Sequence, residues 1–263
     1  MKKLLALLLV VMMVLSLSAC GENQQTEQNT GNNQTQSTNN NDDISTDNGK
    51  TNVDTTPSTN TSANTIEELE GIITKDIEDT VNALNSEWET LSATITTYDA
   101  YVKNAEKVEQ FYEKINTQTE QACIRLQEYA VKYAEMIMTS DMSNDDKYDA
   151  FDELNDCIYD DAADDLNDGI YDGLLKDMQD ALYEGVLDDS DDAPSYSDWY
   201  DVHSDEYENW YDTRSDVYEV WYDTRSDVYS FYYDMRGELW GDDIEKTQKT
   251  LDDYKADVEK LKK

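Results

Sequence analysis

An eleven-residue repeat from about Asp198 to Trp240 restricts this chain more than any other feature. Trp199-Tyr200-Asp201 recurs as Trp210-Tyr211-Asp212, Trp221-Tyr222-Asp223 and Tyr232-Tyr233-Asp234. Eleven residues make almost three turns of α-helix, so equivalent side chains stack in nearly straight columns. Trp199, Trp210, Trp221 and Tyr232 form one column. Tyr207, Tyr218, Tyr229 and Trp240 form a second, roughly 80° around the helix from the first. Between the two lie His203, Arg214, Arg225 and Arg236, each flanked by aromatic residues four before and four after. Asp212, Asp216, Asp223 and Asp227 point the other way.

Cations inside an aromatic stripe have two readings. As an interhelical seam, the arginines lie flat between Trp and Tyr rings while their charged ends meet carboxylates of a neighbouring helix; a cation–π contact is worth about 0.5 to 2 kcal/mol. As an exposed strip, the same rings anchor a glycan or another protein. His203, the single histidine, sits in the arginine column and reads as part of the seam rather than as a catalyst.

The partner for such a seam precedes it in the sequence. Residues 141–192 hold 20 Asp or Glu against only Lys147 and Lys176. Here the repeat is twelve residues long: Cys157-Ile158-Tyr159-Asp160, Gly169-Ile170-Tyr171-Asp172 and Ala181-Leu182-Tyr183-Glu184. Apolar residues fall at every fourth position, from Ile158 through Ala162, Leu166, Ile170, Leu174, Met178 and Leu182 to Val186. A period of 4 does not match about 3.6 residues per turn, so the helix either wraps steeply or bends near Gly169, Gly173 or Gly185. A calcium loop is excluded, because a frame starting at Asp164 puts Leu166 at the third position and Leu175 at the twelfth.

Upstream, Thr65 before Glu67 and Glu68 starts a helix. A heptad-like seam follows through Leu84, Trp88, Leu91, Ile95, Tyr98, Val102 and Ala105, then Tyr112, Ile115, Ala122, Leu126, Tyr129, Tyr133 and Met136. Glu109 and Asn116 interrupt it, which marks a candidate kink. The expectation is all-α: an elongated bundle of about three long helices with coiled-coil character, at about 65–139, 145–188 and 195–262, forming one body over 65–263. Turns are expected at 140–145 and near Pro194. In an antiparallel hairpin of the first two helices, Cys123 and Cys157 lie at similar heights and form either a disulfide or a pair of buried free thiols.

The N-terminus carries Lys2 and Lys3, the apolar run Leu4–Leu15, and Leu17-Ser18-Ala19-Cys20. This order resembles the signal peptide and lipobox of bacterial lipoproteins, which implies cleavage after residue 19 and acylation of Cys20. Residues 20–64, the lipidated cysteine and a stretch of mostly Asn, Gln, Thr, Ser and Asp, read as a disordered tether, averaging about 35 to 40 Å end to end. The Asn/Thr-rich stalk and helical body resemble uncharacterised lipoproteins of low-GC Gram-positive bacteria. The resemblance implies the cell membrane, extracytoplasmic face, with attachment through acyl chains on Cys20.

The formal charge of −40 excludes nucleic acid and disfavours anionic headgroups. No phosphate-binding glycine loop, nucleophile elbow or paired-histidine motif occurs, so no enzyme, cofactor or metal site is expected. The expected role is non-catalytic interaction or structure at the cell surface, with an unidentified envelope protein or glycan as partner and oligomer formation left open. The alternative is a binding module for divalent cations, cell-wall glycan or a basic ligand.

Overall fold

Side-chain oxygens of Thr65, Thr97, Ser143, Ser195 and Asp243 each accept a backbone N–H from three residues ahead, and each such cap starts a helix. The computed structural model describes residues 63–263, and five helices lie within them. They are α1 (Ile66–Ser92), α2 (Tyr98–Thr139), a composite helix α3 (residues 144–186), α4 (Tyr196–Trp240) and α5 (Ile244–Leu261). Together they form an all-α bundle. The signal sequence, Cys20 and all of the tether before Ala63 lie outside the described residues.

Two boundaries correct the expected three-helix division. The first helix is broken at residues 93–97, where Thr97 adopts extended backbone and caps α2 by accepting from Ala100. There is no break at Glu109 or Asn116. The interruption changes the register of the seam, so Tyr101 and Val108 are buried while Val102 is exposed. The last helix is likewise broken after Trp240, where Asp242 takes a left-handed conformation (φ 57°) and Asp243 caps α5.

Helix α3 resolves the mismatch between a period of 4 and the α-helix with π turns, two of which contain Gly169, Gly173 and Gly185. It alternates α segments (Asn144–Asn155, Ala163–Asn167, Leu175–Ala181) with π turns (Asp156–Ala162, Asp168–Leu174, Leu182–Val186). Each π turn takes up one extra residue. Twelve residues of α3 therefore span the three turns that eleven residues span in α4, and the two repeats stay matched along their antiparallel contact. The apolar stripe from Ile158 to Leu182 is buried as a result.

Helix α4 packs against α2 and α3, α5 folds back onto α2 and α4, and α1 closes the bundle against α2 and α3. Gly169 permits the closest approach of α1: a Cβ there would lie 2.6 Å from Cγ1 of Val81. The core runs along α1 through Leu69, Ile73, Ile77 and Leu84 and along α2 through Ile115, Leu126, Tyr133 and Ile137. Arg125 and Tyr133 place polar groups inside it that are partnered across helices. Arg125 Nε donates to Asp76 at 2.7 Å, its Nη2 donates to Thr80 at 2.9 Å, and the Tyr133 hydroxyl donates to Glu70 at 2.6 Å. At about 1.5 Å per residue, α2 and α4 are about 63 and 67 Å long, so α4 offers a long uniform surface.

Candidate functional site

The α3–α4 contact is a ladder with one rung per repeat. Trp221 donates its indole N–H to the carbonyl of Ala163 at 2.7 Å, Trp210 donates to Leu175 at 2.8 Å, and Trp199 donates to Leu187 at 2.8 Å. These three acceptors also close the π turns, since Ala163, Leu175 and Leu187 donate their own N–H groups to Ile158, Ile170 and Leu182, five residues back. At the fourth rung Tyr232 replaces Trp, donating to Asp152 at 2.5 Å, and α3 is ordinary α-helix there.

The cation column lies where the seam reading places it. The guanidinium carbons of Arg214, Arg225 and Arg236 lie 3.9, 4.1 and 4.1 Å from the ring centres of Tyr171, Tyr159 and Tyr148. Their charged ends reach α3 carboxylates: Arg214 to Asp172 at 3.7 Å, Arg225 to Asp164 at 3.1 Å, and Arg236 to Asp152 at 2.7 Å. His203 substitutes a ring for the guanidinium and stacks between Tyr183 and Trp199, with centroids at 4.1 and 4.6 Å. Burial holds its pKa below the ordinary value, partly offset by Asp188.

The second aromatic column forms the rim of this seam. Tyr207, Tyr218 and Tyr229 tilt against Tyr183, Tyr171 and Tyr159 of α3, and Trp240 tilts against Tyr148. On its other side each of these tyrosines stacks on a further ring of α4, Tyr211, Tyr222 or Tyr233, at 6.0–6.3 Å. The outer rings face away from the bundle: Tyr200, Tyr211, Tyr222 and Tyr233 are 56%, 48%, 56% and 65% exposed. The Trp and Arg columns thus pack in the seam, with Trp210, Trp221 and Tyr232 buried, and the exposed rings belong to a separate outer column. The outer column was in view in the Trp-Tyr-Asp repeat, but its neighbours Trp and Arg carried the argument.

Glu206 is a buried carboxyl that sequence reasoning passed over. It is 0% exposed, and its two oxygens accept the hydroxyls of Tyr101 (2.6 Å) and Tyr112 (2.7 Å) from α2. Burial pushes its pKa up to about 7, against a smaller lowering by the two hydroxyls. The repeat contained the signal: the equivalent positions are Val217, Val228 and Leu239, an apolar column that Glu206 alone departs from. With both oxygens occupied by hydroxyls, it fastens α4 to α2.

Cys123 and Cys157 are free thiols. Cys123 is buried against Thr224 of α4, whereas Cys157 lies near Glu70 and Tyr133, and burial pushes both up to about 12. Among the described residues, no group of three or more His, Cys, Asp or Glu could hold a metal ion, and no helix is long and apolar enough to cross a membrane. No family model, curated protein or solved structure matches this chain.

Proposed function

We propose that this chain is a lipid-anchored protein of the extracytoplasmic membrane face whose helical body has a non-catalytic interaction role, with the outer face of α4 as its contact surface. The observation that carries this reading is the column of exposed rings at Tyr200, Tyr211, Tyr222 and Tyr233. A seam alone needs only the inner rings. Exposed aromatic side chains repeated at fixed spacing on one face are what a binding surface requires and what a solvated surface avoids. The ladder beneath fixes their spacing, because indole–carbonyl bonds and arginine stacks lock α4 to α3 at each repeat. The anchor follows from the resemblance of Leu17-Ser18-Ala19-Cys20 to a lipobox. Its acyl chains would supply the membrane attachment, each buried methylene contributing about 0.8 kcal/mol.

Expression of the full chain with a labelled fatty acid tests the anchor. The chain should take up label and enter the detergent-rich phase on partitioning, and Cys20→Ala should do neither. Equal partitioning of the two without label would contradict the reading.

A further inference from the structure

The outer face of α4 has a second edge that the aromatic ladder leaves unexplained. Taking Ser215 as reference at about 100° per residue, Tyr211 and Tyr218 lie on one side of it and Asp212 on the other. The same arrangement surrounds Ser226, with Tyr222, Tyr229 and Asp223. Gly237 repeats it with Tyr233, Trp240 and Asp234, and Ser204 with Tyr200, Tyr207 and Asp201. All four floor residues, and all four aspartates, are exposed. Each repeat thus presents a small floor between an aromatic wall and a carboxylate wall.

The charges around these notches are unbalanced. The three arginines of α4 are directed to α3 carboxylates, and no ion pair reaches Asp201, Asp212, Asp223 or Asp234 among the described residues, although Lys246, paired with Glu238, shares the cleft of Asp234 and Gly237. Two clefts beside this edge are lined in part by carboxylates. Asp216, Glu219 and Glu120 line one, and Asp227 and Asp234 line another, beside Asp253 and Asp257, which pair with Lys249 and Lys260. In the first, the buried hydroxyl of Thr119 also lacks a hydrogen-bond partner. Aromatic faces next to unpaired carboxylates form a receptor for ammonium or guanidinium groups, since the ring quadrupole and the carboxylate attract the same charge.

We propose that the outer face of α4 binds an extended, lysine- or arginine-rich segment of another polypeptide, one cationic side chain per notch. The spacing sets the ligand. Eleven residues of α-helix advance about 16.5 Å, and an extended chain covers that distance in about five residues. A flexible partner carrying a cation at about every fifth position, free of the two-residue alternation that would turn successive cations to opposite faces of a regular strand, meets successive notches without leaving the helix. A polyanion is repelled, and a neutral glycan leaves the carboxylate wall unused.

The proposal rests on α4 being the contact face but is tested apart from the anchor. The probe is a synthetic peptide of about twenty residues with arginine at every fifth position in a Gly/Ser background, titrated calorimetrically into the full chain. A peptide of equal composition with its arginines clustered serves as control. The spaced peptide is expected to bind at least tenfold more tightly than the clustered one. The variant Tyr200→Ser, Tyr211→Ser, Tyr222→Ser, Tyr233→Ser, whose changes are all at exposed positions, should lose that preference while keeping its helical circular dichroism. The variant Asp161→Asn, Asp165→Asn, Asp168→Asn removes charge from α3 and should keep it. Equal binding of both peptides to the unaltered chain, or loss of the preference in the α3 variant alone, would reduce the effect to bulk charge and overturn the proposal. Binding of a chitin oligomer without binding of the spaced peptide would overturn the partner class and leave the contact face standing.

Discussion

Trp221 and Ala163 are joined twice over: the indole N–H reaches the carbonyl of Ala163 at 2.7 Å, and the N–H of that same residue closes a π turn onto Ile158. Trp210 with Leu175 and Trp199 with Leu187 repeat the relationship. The extra residue of each π turn and the tryptophan opposite it thus form one unit. Where Tyr232 takes the tryptophan position, the π turn is absent.

Trp210→Phe should therefore be costly, because it leaves a buried carbonyl without its side-chain donor and opens space in the seam. A loss of about 1–3 kcal/mol is expected in urea unfolding. Tyr211→Phe, one residue away on the exposed side, should stay within about 0.5 kcal/mol. Equal effects would mean that the indole bond contributes nothing specific.

Arg225→Lys tests the cation column. The lysine keeps the charge opposite Asp164 but loses the planar stack on Tyr159. The expected cost is about 1 kcal/mol, largely insensitive to added salt because stacking rather than screened charge is removed. A cost that vanishes at high salt would assign the contact to the ion pair alone.

Glu206 predicts a pH dependence with a definite sign. Its folded pKa of about 7 lies above its ordinary 4.5, so the native state binds the proton more tightly than the unfolded chain. This contribution is fully present below about 4.5, declines as pH rises to about 7, and is lost above that. The shift corresponds to about 3 kcal/mol. Glu206→Gln should flatten the difference in unfolding free energy between pH 5 and pH 7.5 by a measurable part of that amount. An unchanged difference would show that general charge repulsion, which acts in the same direction, accounts for all of it.

The two described cysteines should resist chemistry. In the Cys20→Ala chain, Cys123 and Cys157 should stay unlabelled by a maleimide at pH 8 in the native state, since burial keeps both thiols protonated. Both should react after denaturation without reductant. Failure to react then would reveal a bridge.

Much of this is legible in the sequence. Column stacking follows from an eleven-residue period, so the placement of Trp210, Arg214 and Tyr218 on one contact could be derived by angle alone. The start at Thr65 and the turn after Thr139 were equally readable. The break at 93–97 was not, because Ile95 and Tyr98 continue the heptad spacing across it and hide the capping role of Thr97. In α3 the period of 4 announced a departure from the α-helix, but only the opposing eleven-residue repeat explains why π turns absorb it. Glu206 was visible as a broken apolar column. In a chain this acidic, one more carboxylate did not stand out.

The most direct test of the central claim is tyrosine footprinting on intact cells. A membrane-impermeant tyrosine-modifying reagent, followed by mass spectrometry, should label Tyr200, Tyr211, Tyr222 and Tyr233 less on cells than in the purified full chain, because a bound partner covers them. An amine reagent should label the exposed Lys75 and Lys176 equally in both preparations. Equal tyrosine labelling on cells and in purified protein would contradict the claim that this face of α4 is the working surface.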